Sequence, residues 1–78
     1  MTTHNLKLWP EYFDALLDGS KRFEIRKDDG FAVGDMLVIR EWSPATKCHT
    51  GREVIAYVTF VQRGEGIEPG YVAIGISF

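Results

Sequence analysis

The stretch PEYFDALLDGSKRFEIR, residues 10–26, decides the fold because its apolar period changes from that of a helix to that of a strand. In its first half the apolar side chains recur three and four residues apart, which predicts an amphipathic helix over residues 10–18. Pro10 suits the first helical position, and Gly19 suits the left-handed conformation that ends many helices. The apolar stripe of this helix consists of Tyr12, Phe13, Leu16 and Leu17.

The second half of the stretch alternates apolar and charged residues, which predicts a strand that begins at Phe23. Phe23 and Ile25 fall on one face, and Glu24 and Arg26 fall on the other, because successive side chains of a strand point to opposite faces. We expect the face of Phe23 and Ile25 to be buried in the core. The charged face is then left for solvent or for a ligand.

Outward from this stretch, the chain contains four further strand patterns, separated by loops rich in glycine and polar residues. The predicted strands cover residues 4–9, 36–42, 52–62 and 71–78, and the predicted polar loops cover residues 43–51 and 63–70. Five strands with one helix near the N-terminus favour an α+β, β-dominated fold: a mostly antiparallel sheet curled into a small barrel. We expect the helix to plug one open end, and residues 1–78 to form a single domain.

Composition and charge limit the classes of protein that this chain can belong to. Hydrophobic residues make up 45% of the chain, which suits a packed globule. The net charge of −2 argues against non-specific coating of nucleic acid, although a local basic cleft remains compatible with it. The lone Cys48 cannot form an internal disulfide, and no segment approaches the ~20 apolar residues of a membrane span. We therefore expect a cytoplasmic protein that is a monomer by default and has no contact with membranes.

The motif GSKRFEIR, residues 19–26, matches the pattern G-x-K-x-x-E-x-R. This pattern resembles that of the ASCH domains, whose β-barrel is related to the PUA domains of RNA-modification proteins. The blocks HNLKLWPEYF, VGD, LVIREW and TGREV surround the motif in an order that resembles, more narrowly, the DUF3850 family. The resemblance covers nearly the whole chain and implies a small PUA-like barrel. Two predicted loops depart from the family's pattern, since KDD replaces K-N-D and CHTGR lacks a tyrosine before T-G-R.

The resemblance implies that Lys21, Glu24 and Arg26 line a cleft between the barrel and the helix. The residue pattern is compatible with this, because Glu24 and Arg26 share a strand face and Lys21 lies in the turn before it. Two cations could hold a phosphate or a carboxylate, and the carboxylate between them could accept a hydrogen bond from a base N–H or an amine. The alternative is a solvated ion pair on the outside of the barrel.

Further residues in the matching blocks are candidates for the same cleft. They are Lys7, Arg40, Glu41 and Tyr71. For the three charged residues the alternative is ordinary barrel surface, and for the tyrosine it is packing. Trp9 and Trp42 could stack on a base, or they could pack against the helix and the core.

A metal site is not expected. Cys48 and His49 are adjacent, His4 is distant in sequence, and no second cysteine exists, so the spacing of a zinc chelate is absent. No glycine-rich phosphate loop occurs either. The sequence therefore predicts neither a metal nor a cofactor.

Three functions are compatible with these residues. The leading interpretation is a module that binds RNA or a nucleotide-like ligand in the charged cleft. The alternative is a small amidohydrolase acting on acylated nucleosides, with Lys21 and Glu24 as catalytic residues. Related hydrolases carry a threonine where this chain has Glu24, and Thr59 or Glu41 would have to replace it. A third interpretation is a protein-interaction module whose long strand over residues 52–62 pairs with a partner.

Overall fold

The polypeptide forms five strands and one helix, and the computed structural model describes all of its residues, 1–78. In chain order the elements are β1 (Thr3–Leu8), α1 (Pro10–Asp18), β2 (Phe23–Lys27), β3 (Met36–Ser43), β4 (Cys48–Gln62) and β5 (Tyr71–Ser77). Strands hold 53% of the residues. The predicted β-dominated fold with one helix near the N-terminus is confirmed.

The strands form one sheet in the order β1-β3-β4-β5-β2. The pairs β3–β4, β4–β5 and β2–β5 are antiparallel, whereas β1 and β3 run parallel. The sheet is therefore mixed but mostly antiparallel, as predicted. It curls into a half-barrel that no backbone pairing closes, because β1 and β2 are its two edges.

The helix α1 begins and ends where the sequence predicts. Pro10 is its first residue, and Gly19 ends it with a φ of 86°. In this conformation the Gly19 N–H donates to Leu16 O at 3.3 Å. This left-handed conformation is one that glycine adopts without steric cost. Phe13 and Leu16 are buried, and α1 packs against β3. With 9 residues, α1 is too short to span a membrane.

The core fills the inner face of the half-barrel with mainly aliphatic side chains. Alternate residues of β1, β3 and β5 are buried, as the period of a strand requires. The buried apolar residues are Leu6, Leu8, Phe13, Leu16, Phe31, Leu37, Ile39, Ala56, Val58, Val72, Ile74 and Ile76. Phe13 and Phe31 are the two aromatic residues of this set, so aliphatic side chains make up most of the core.

The strand β2 has the opposite orientation from the predicted one. Phe23 and Ile25 are 53% and 54% exposed, whereas Glu24 between them is only 7% exposed. The prediction that Phe23 and Ile25 face the core was therefore wrong. The strand period determines which side chains share a face, but not which face is inside. Because β2 is an edge strand beside the open side of the half-barrel, its inward position can hold a compensated charge.

The predicted loop over residues 43–51 is instead a β-hairpin. Trp42 pairs with His49 and Ser43 pairs with Cys48, which leaves a turn over residues 44–47. Lys47 adopts a φ of 55° and donates its N–H to Ser43 O at 2.7 Å. The polar composition predicted a loop, but strand pairing uses backbone groups that every residue except proline supplies in full.

The long strand β4 lies inside the sheet order, between β3 and β5. Its first part pairs with β3 and its last part pairs with β5, with a register shift between Val58 and Phe60. The segment over residues 52–62, which the sequence predicts as a possible pairing strand for a protein partner, is thus paired with β5 from Tyr57 onwards, whereas its residues before Tyr57 pair with β3 alone. The outermost strands of the sheet are β1 and β2.

Candidate ligand-binding cleft

An ion triad of Lys21, Glu24 and Arg26 lies at the edge strand β2. Lys21 Nζ lies 2.8 Å from Glu24 Oε1, and Arg26 Nη2 lies 2.7 Å from Glu24 Oε2. Arg26 Nε donates to the same Oε2 at 2.8 Å. The carboxylate side chain is 9% exposed, and the lysine and arginine side chains are 15% and 27% exposed. The triad is therefore partly buried, unlike the ordinary surface ion pairs that contribute little to stability.

Hydrogen bonds to two backbone carbonyls hold the triad in place. The Lys21 N–H donates to Ala15 O at 3.0 Å, which fixes the turn after α1. Arg26 Nη2 donates to Lys7 O at 2.5 Å. Arg26 thus bridges β2 to β1 across the open side of the half-barrel, where no backbone pairing exists.

The gap between β1 and β2 forms a cleft of about 460 Å³, within the range of about 300–1,000 Å³ for small-molecule sites. Trp9 and Tyr12 stack there with ring centroids 6.3 Å apart. Lys21 Nζ lies 4.3 Å from the ring centroid of Phe23. The cleft is lined by Lys7, Leu8, Trp9, Tyr12, Lys21, Phe23, Glu24, Ile25 and Arg26. Aromatic and aliphatic walls therefore surround the charged triad.

The cleft is locally positive although the chain has a net charge of −2. Lys7, Lys21 and Arg26 supply three cations, and Glu24 supplies the one carboxylate. Lys7 Nζ also lies 5.0 Å from the ring centroid of Trp42, which helps to position the ammonium group. A carboxylate has about four lone-pair sites, so Glu24 can still accept a hydrogen bond from a ligand.

Three of the predicted site residues do not line this cleft. Arg40 Nε lies 2.9 Å from Glu53 Oε2, and Arg40 Nη1 donates to Asn5 Oδ1 at 3.2 Å. Tyr71 lies opposite Lys27, at the far end of β2 from Lys21. Glu41 belongs to a separate cluster. Among the additional candidates, Lys7 joins the triad in the cleft.

Glu41 is buried and is held by Arg52. Arg52 Nε and Nη2 donate to the two carboxylate oxygens at 2.9 and 2.6 Å, and the Thr50 hydroxyl donates as well. The hydrogen bonds from Arg52 and then from Thr50 lower the pKa of Glu41 to about 2, and bonding to Glu41 raises the pKa of Arg52. Arg52 Nη2 also donates to Asp14 Oδ1 at 2.7 Å. This cluster therefore ties the β3–β4 hairpin to α1.

His4 and Asp35 form a buried pair that sequence analysis missed. His4 Nε2 and Asp35 Oδ2 lie 2.9 Å apart, and the two residues are 6% and 5% exposed. Asp35 also accepts the N–H groups of Thr2 and Ala32, each at 3.0 Å. The hydrogen bonds from His4 and then from Thr2 lower the pKa of Asp35 to about 2. The strand period places His4 on the buried face of β1, but nothing in the sequence identified its partner.

Potential metal ligands do not gather in one place. His4 pairs with Asp35, whereas Cys48 and His49 lie in the β3–β4 hairpin. No group of three or more His, Cys, Asp or Glu side chains is arranged to hold a metal ion.

The fold and the site define a small β-rich domain whose open half-barrel carries a mixed-charge cleft between its two edge strands. The chain belongs to the family called domain of unknown function DUF3850, whose sequence profile matches residues 3–76. An uncharacterized 12.9 kDa protein in the GpA 3′ region of Escherichia phage P2 is 44% identical to it over 59 residues. This match covers 74% of the chain and 52% of the phage protein, so the chain spans about half the length of that relative. The predicted membership of the DUF3850 family is confirmed.

Proposed function

We propose that the protein is a cytoplasmic, PUA-like module of the ASCH type that binds RNA or a nucleotide-like ligand in the cleft between β1 and β2. The observation that carries the proposal is the partly buried triad of Lys21, Glu24 and Arg26 in a cleft that also exposes aromatic rings. Charge, hydrogen-bonding capacity and stacking surface therefore occur together at one place.

The walls of the cleft suit a nucleobase. Trp9, Tyr12 and Phe23 are 48%, 50% and 53% exposed, so their rings are accessible to a ligand. Stacking of a base on an aromatic side chain contributes about 1–3 kcal/mol. Glu24 can accept a hydrogen bond from an exocyclic amino group or a ring N–H, which a planar hydrocarbon would not supply.

The cations of the cleft suit an anionic ligand. Glu24 holds Lys21 and Arg26 beside the cleft, and both have donors beyond those that contact the carboxylate. A hydrogen bond to a charged group contributes about 1.5–3 kcal/mol. Because the whole chain is acidic, with a net charge of −2, we expect selective binding rather than coating of nucleic acid.

Hydrolysis of an acylated nucleoside has less support from the geometry. Lys21 Nζ is ion-paired with Glu24 Oε1, an arrangement typical of a recognising ammonium group rather than of an amine nucleophile. Thr59 and Glu41, which would have to replace the threonine of the related hydrolases, do not line the cleft. Thr59 instead lines a second cavity that also includes Lys21, and Glu24 does not line that cavity.

The test is equilibrium binding of a short single-stranded RNA, and of a panel of ribonucleosides that includes acylated cytidines. Wild type is compared with Lys21→Ala. We expect saturable binding that Lys21→Ala weakens about tenfold or more, since the lost interaction involves a charged group. Lys27→Ala is the matched control, because Lys27 is exposed at the other end of β2, does not line the cleft and forms no ion pair.

The outcomes separate the three functions. Equal losses in Lys21→Ala and Lys27→Ala would mean that overall charge drives binding, and would contradict a role for the cleft. Release of cytidine from an acylated cytidine in the same samples would select the hydrolase. Neither binding nor turnover would exclude both and favour a protein partner.

A further inference from the structure

A second cavity adjoins the cleft at Lys21. Its volume is about 480 Å³, and Lys21 lines both the cleft and this cavity. The polar residues that line it are Lys21, Arg22, Thr59 and Ser77. No Asp or Glu side chain lines it, whereas Glu24 lines the cleft. The two cavities therefore offer different chemistry on either side of one lysine.

The polar groups of the second cavity are those that proteins use to hold phosphate. Phosphate oxygens accept hydrogen bonds from arginine and lysine, and also from serine and threonine hydroxyls. Arg22 Nε donates to Gly19 O at 3.0 Å, which anchors this side chain at the end of α1. Arg22 takes part in no ion pair with a carboxylate. Its charge is thus available to an anionic group.

The backbone around Thr59 leaves space for its hydroxyl. The register of β4 against β5 shifts between Val58 and Phe60, so Thr59 lies at the irregularity. On β5, a Cβ atom at Gly75 would lie 2.7 Å from Thr59 Oγ1. Real Cβ atoms do not approach so closely, so a side chain at position 75 would displace the hydroxyl from this place.

We infer that the second cavity is a subsite for a phosphate group of the ligand whose base occupies the cleft. This inference rests on the proposed function of the cleft. Lys21 lines both cavities, with its Nζ on the cleft side beside Glu24, so a ligand that extends from the cleft into the second cavity passes along this residue. The ligand is then a nucleotide or a short single-stranded RNA rather than a free nucleoside.

The experiment compares affinities for a ribonucleoside, its 5′- and 3′-monophosphates and the corresponding dinucleotide. The base is the one that binds best among the four ribonucleosides. We expect a monophosphate to bind about tenfold or more tightly than the nucleoside. Arg22→Gln should remove most of this gain and leave the nucleoside affinity unchanged. Lys27→Gln, which removes one positive charge outside both cavities, should retain the gain.

A second variant guards against an effect of Arg22 on folding. Ser77→Ala removes an exposed hydroxyl at the end of β5 and should reduce the phosphate-dependent gain about threefold. A dinucleotide that binds more tightly than both monophosphates would identify an RNA strand as the ligand. Equal affinity for the dinucleotide and the better monophosphate would identify a free nucleotide.

Two results would overturn the inference without touching the proposed function. Equal affinity of wild type for nucleoside and monophosphates would show that no phosphate subsite exists. Equal weakening of both ligands in Arg22→Gln would show that this arginine does not act on the phosphate. Failure of every ligand to bind would overturn the inference together with the proposed function.

Discussion

Glu24 is the residue on which the ion triad depends, because it is the one anion between two cations. Lys21→Ala leaves the carboxylate paired with Arg26, whereas Glu24→Ala leaves two partly buried cations without a carboxylate partner. An unsatisfied group of this kind costs roughly 1–3 kcal/mol. We therefore expect Glu24→Ala to lower the free energy of unfolding by more than Lys21→Ala.

The double variant of Lys21 and Glu24 tests the coupling directly. Its cost should be smaller than the sum of the two single costs, because both single variants remove the same interaction. Urea unfolding of wild type, the two single variants and the double variant gives the four free energies of unfolding. If the two single variants cost the same and the double variant costs their sum, the members of the triad do not stabilise one another.

Asp35 and Glu41 should make stability depend on pH in the acidic range. The pKa of each is lowered to about 2 in the folded protein, from ordinary values of 3.8 and 4.5. Their contribution is complete above the unfolded-state values and is lost as pH falls towards about 2. The melting temperature should therefore drop steeply between pH 4.5 and about pH 2.

The variants Asp35→Asn and Glu41→Gln check this assignment. Each should melt lower than wild type at pH 7 and should lose less on acidification, because the titrating carboxylate is gone. Melting curves at pH 7, 4.5 and 2.5 give the comparison. A variant with the same acid sensitivity as wild type would show that its carboxylate is not responsible.

For individual residues, the sequence predicted the contacts between those that are close along the chain. Lys21, Glu24 and Arg26 lie within six positions of one another, so strand spacing and the turn were enough to bring them together. Lys7 came from the family pattern. The partner of His4 is 31 residues away, and no local pattern could identify it because sheet topology brings the two together.

The orientation of the strand β2 determines which of its side chains are exposed in the wall of the cleft. Phe23 is half-exposed in the wall of the cleft. We expect Phe23→Ser to cost less than about 1 kcal/mol in stability, as surface substitutions do. The same change should weaken ligand binding about tenfold, because a stacking surface is lost.

Leu37→Ala is the matched core variant for this prediction. Leu37 is 0% exposed, and truncation of a buried leucine costs about 2–5 kcal/mol. Chemical unfolding of both variants ranks the two positions. A stability loss in Phe23→Ser as large as in Leu37→Ala would mean that Phe23 is a core residue after all.

Element positions were largely predictable because they depend on local patterns. The helix over residues 10–18 was located by its apolar stripe, by Pro10 and by Gly19. The orientation of β2 and the hairpin at residues 43–51 were not predictable in this way. Both depend on neighbours in the sheet: an edge strand admits an inward charge, and backbone pairing extends β3 and β4 through polar residues.

At the scale of the whole molecule, charge is distributed unevenly. The cleft and the second cavity gather Lys7, Lys21, Arg22 and Arg26, although the chain carries a net charge of −2. A ligand strand should therefore contact few phosphates. For two or three contacts the logarithm of the RNA-binding constant should fall with the logarithm of salt concentration with a slope of about −1.5 to −2.

The RNA-binding constant, measured over a series of salt concentrations, checks this expectation. Lys21→Ala should make the slope shallower by about 0.7, because one phosphate contact is lost. A much steeper slope would indicate that RNA coats a broad surface. A slope unchanged in Lys21→Ala would indicate that the phosphates lie elsewhere on the protein.

The most direct test of the cleft as a nucleotide-binding site is an NMR chemical-shift titration of the labelled protein with short RNA and ribonucleosides at physiological salt. Saturable shifts should cluster at Lys21, Phe23, Glu24 and Arg26. At the same ligand concentrations they should be strongly reduced in Lys21→Ala, while the variant keeps the dispersed spectrum of a folded protein. Shifts confined to other surfaces, or no shifts at all, would contradict the proposed function and leave the triad as a structural link between β2 and β1.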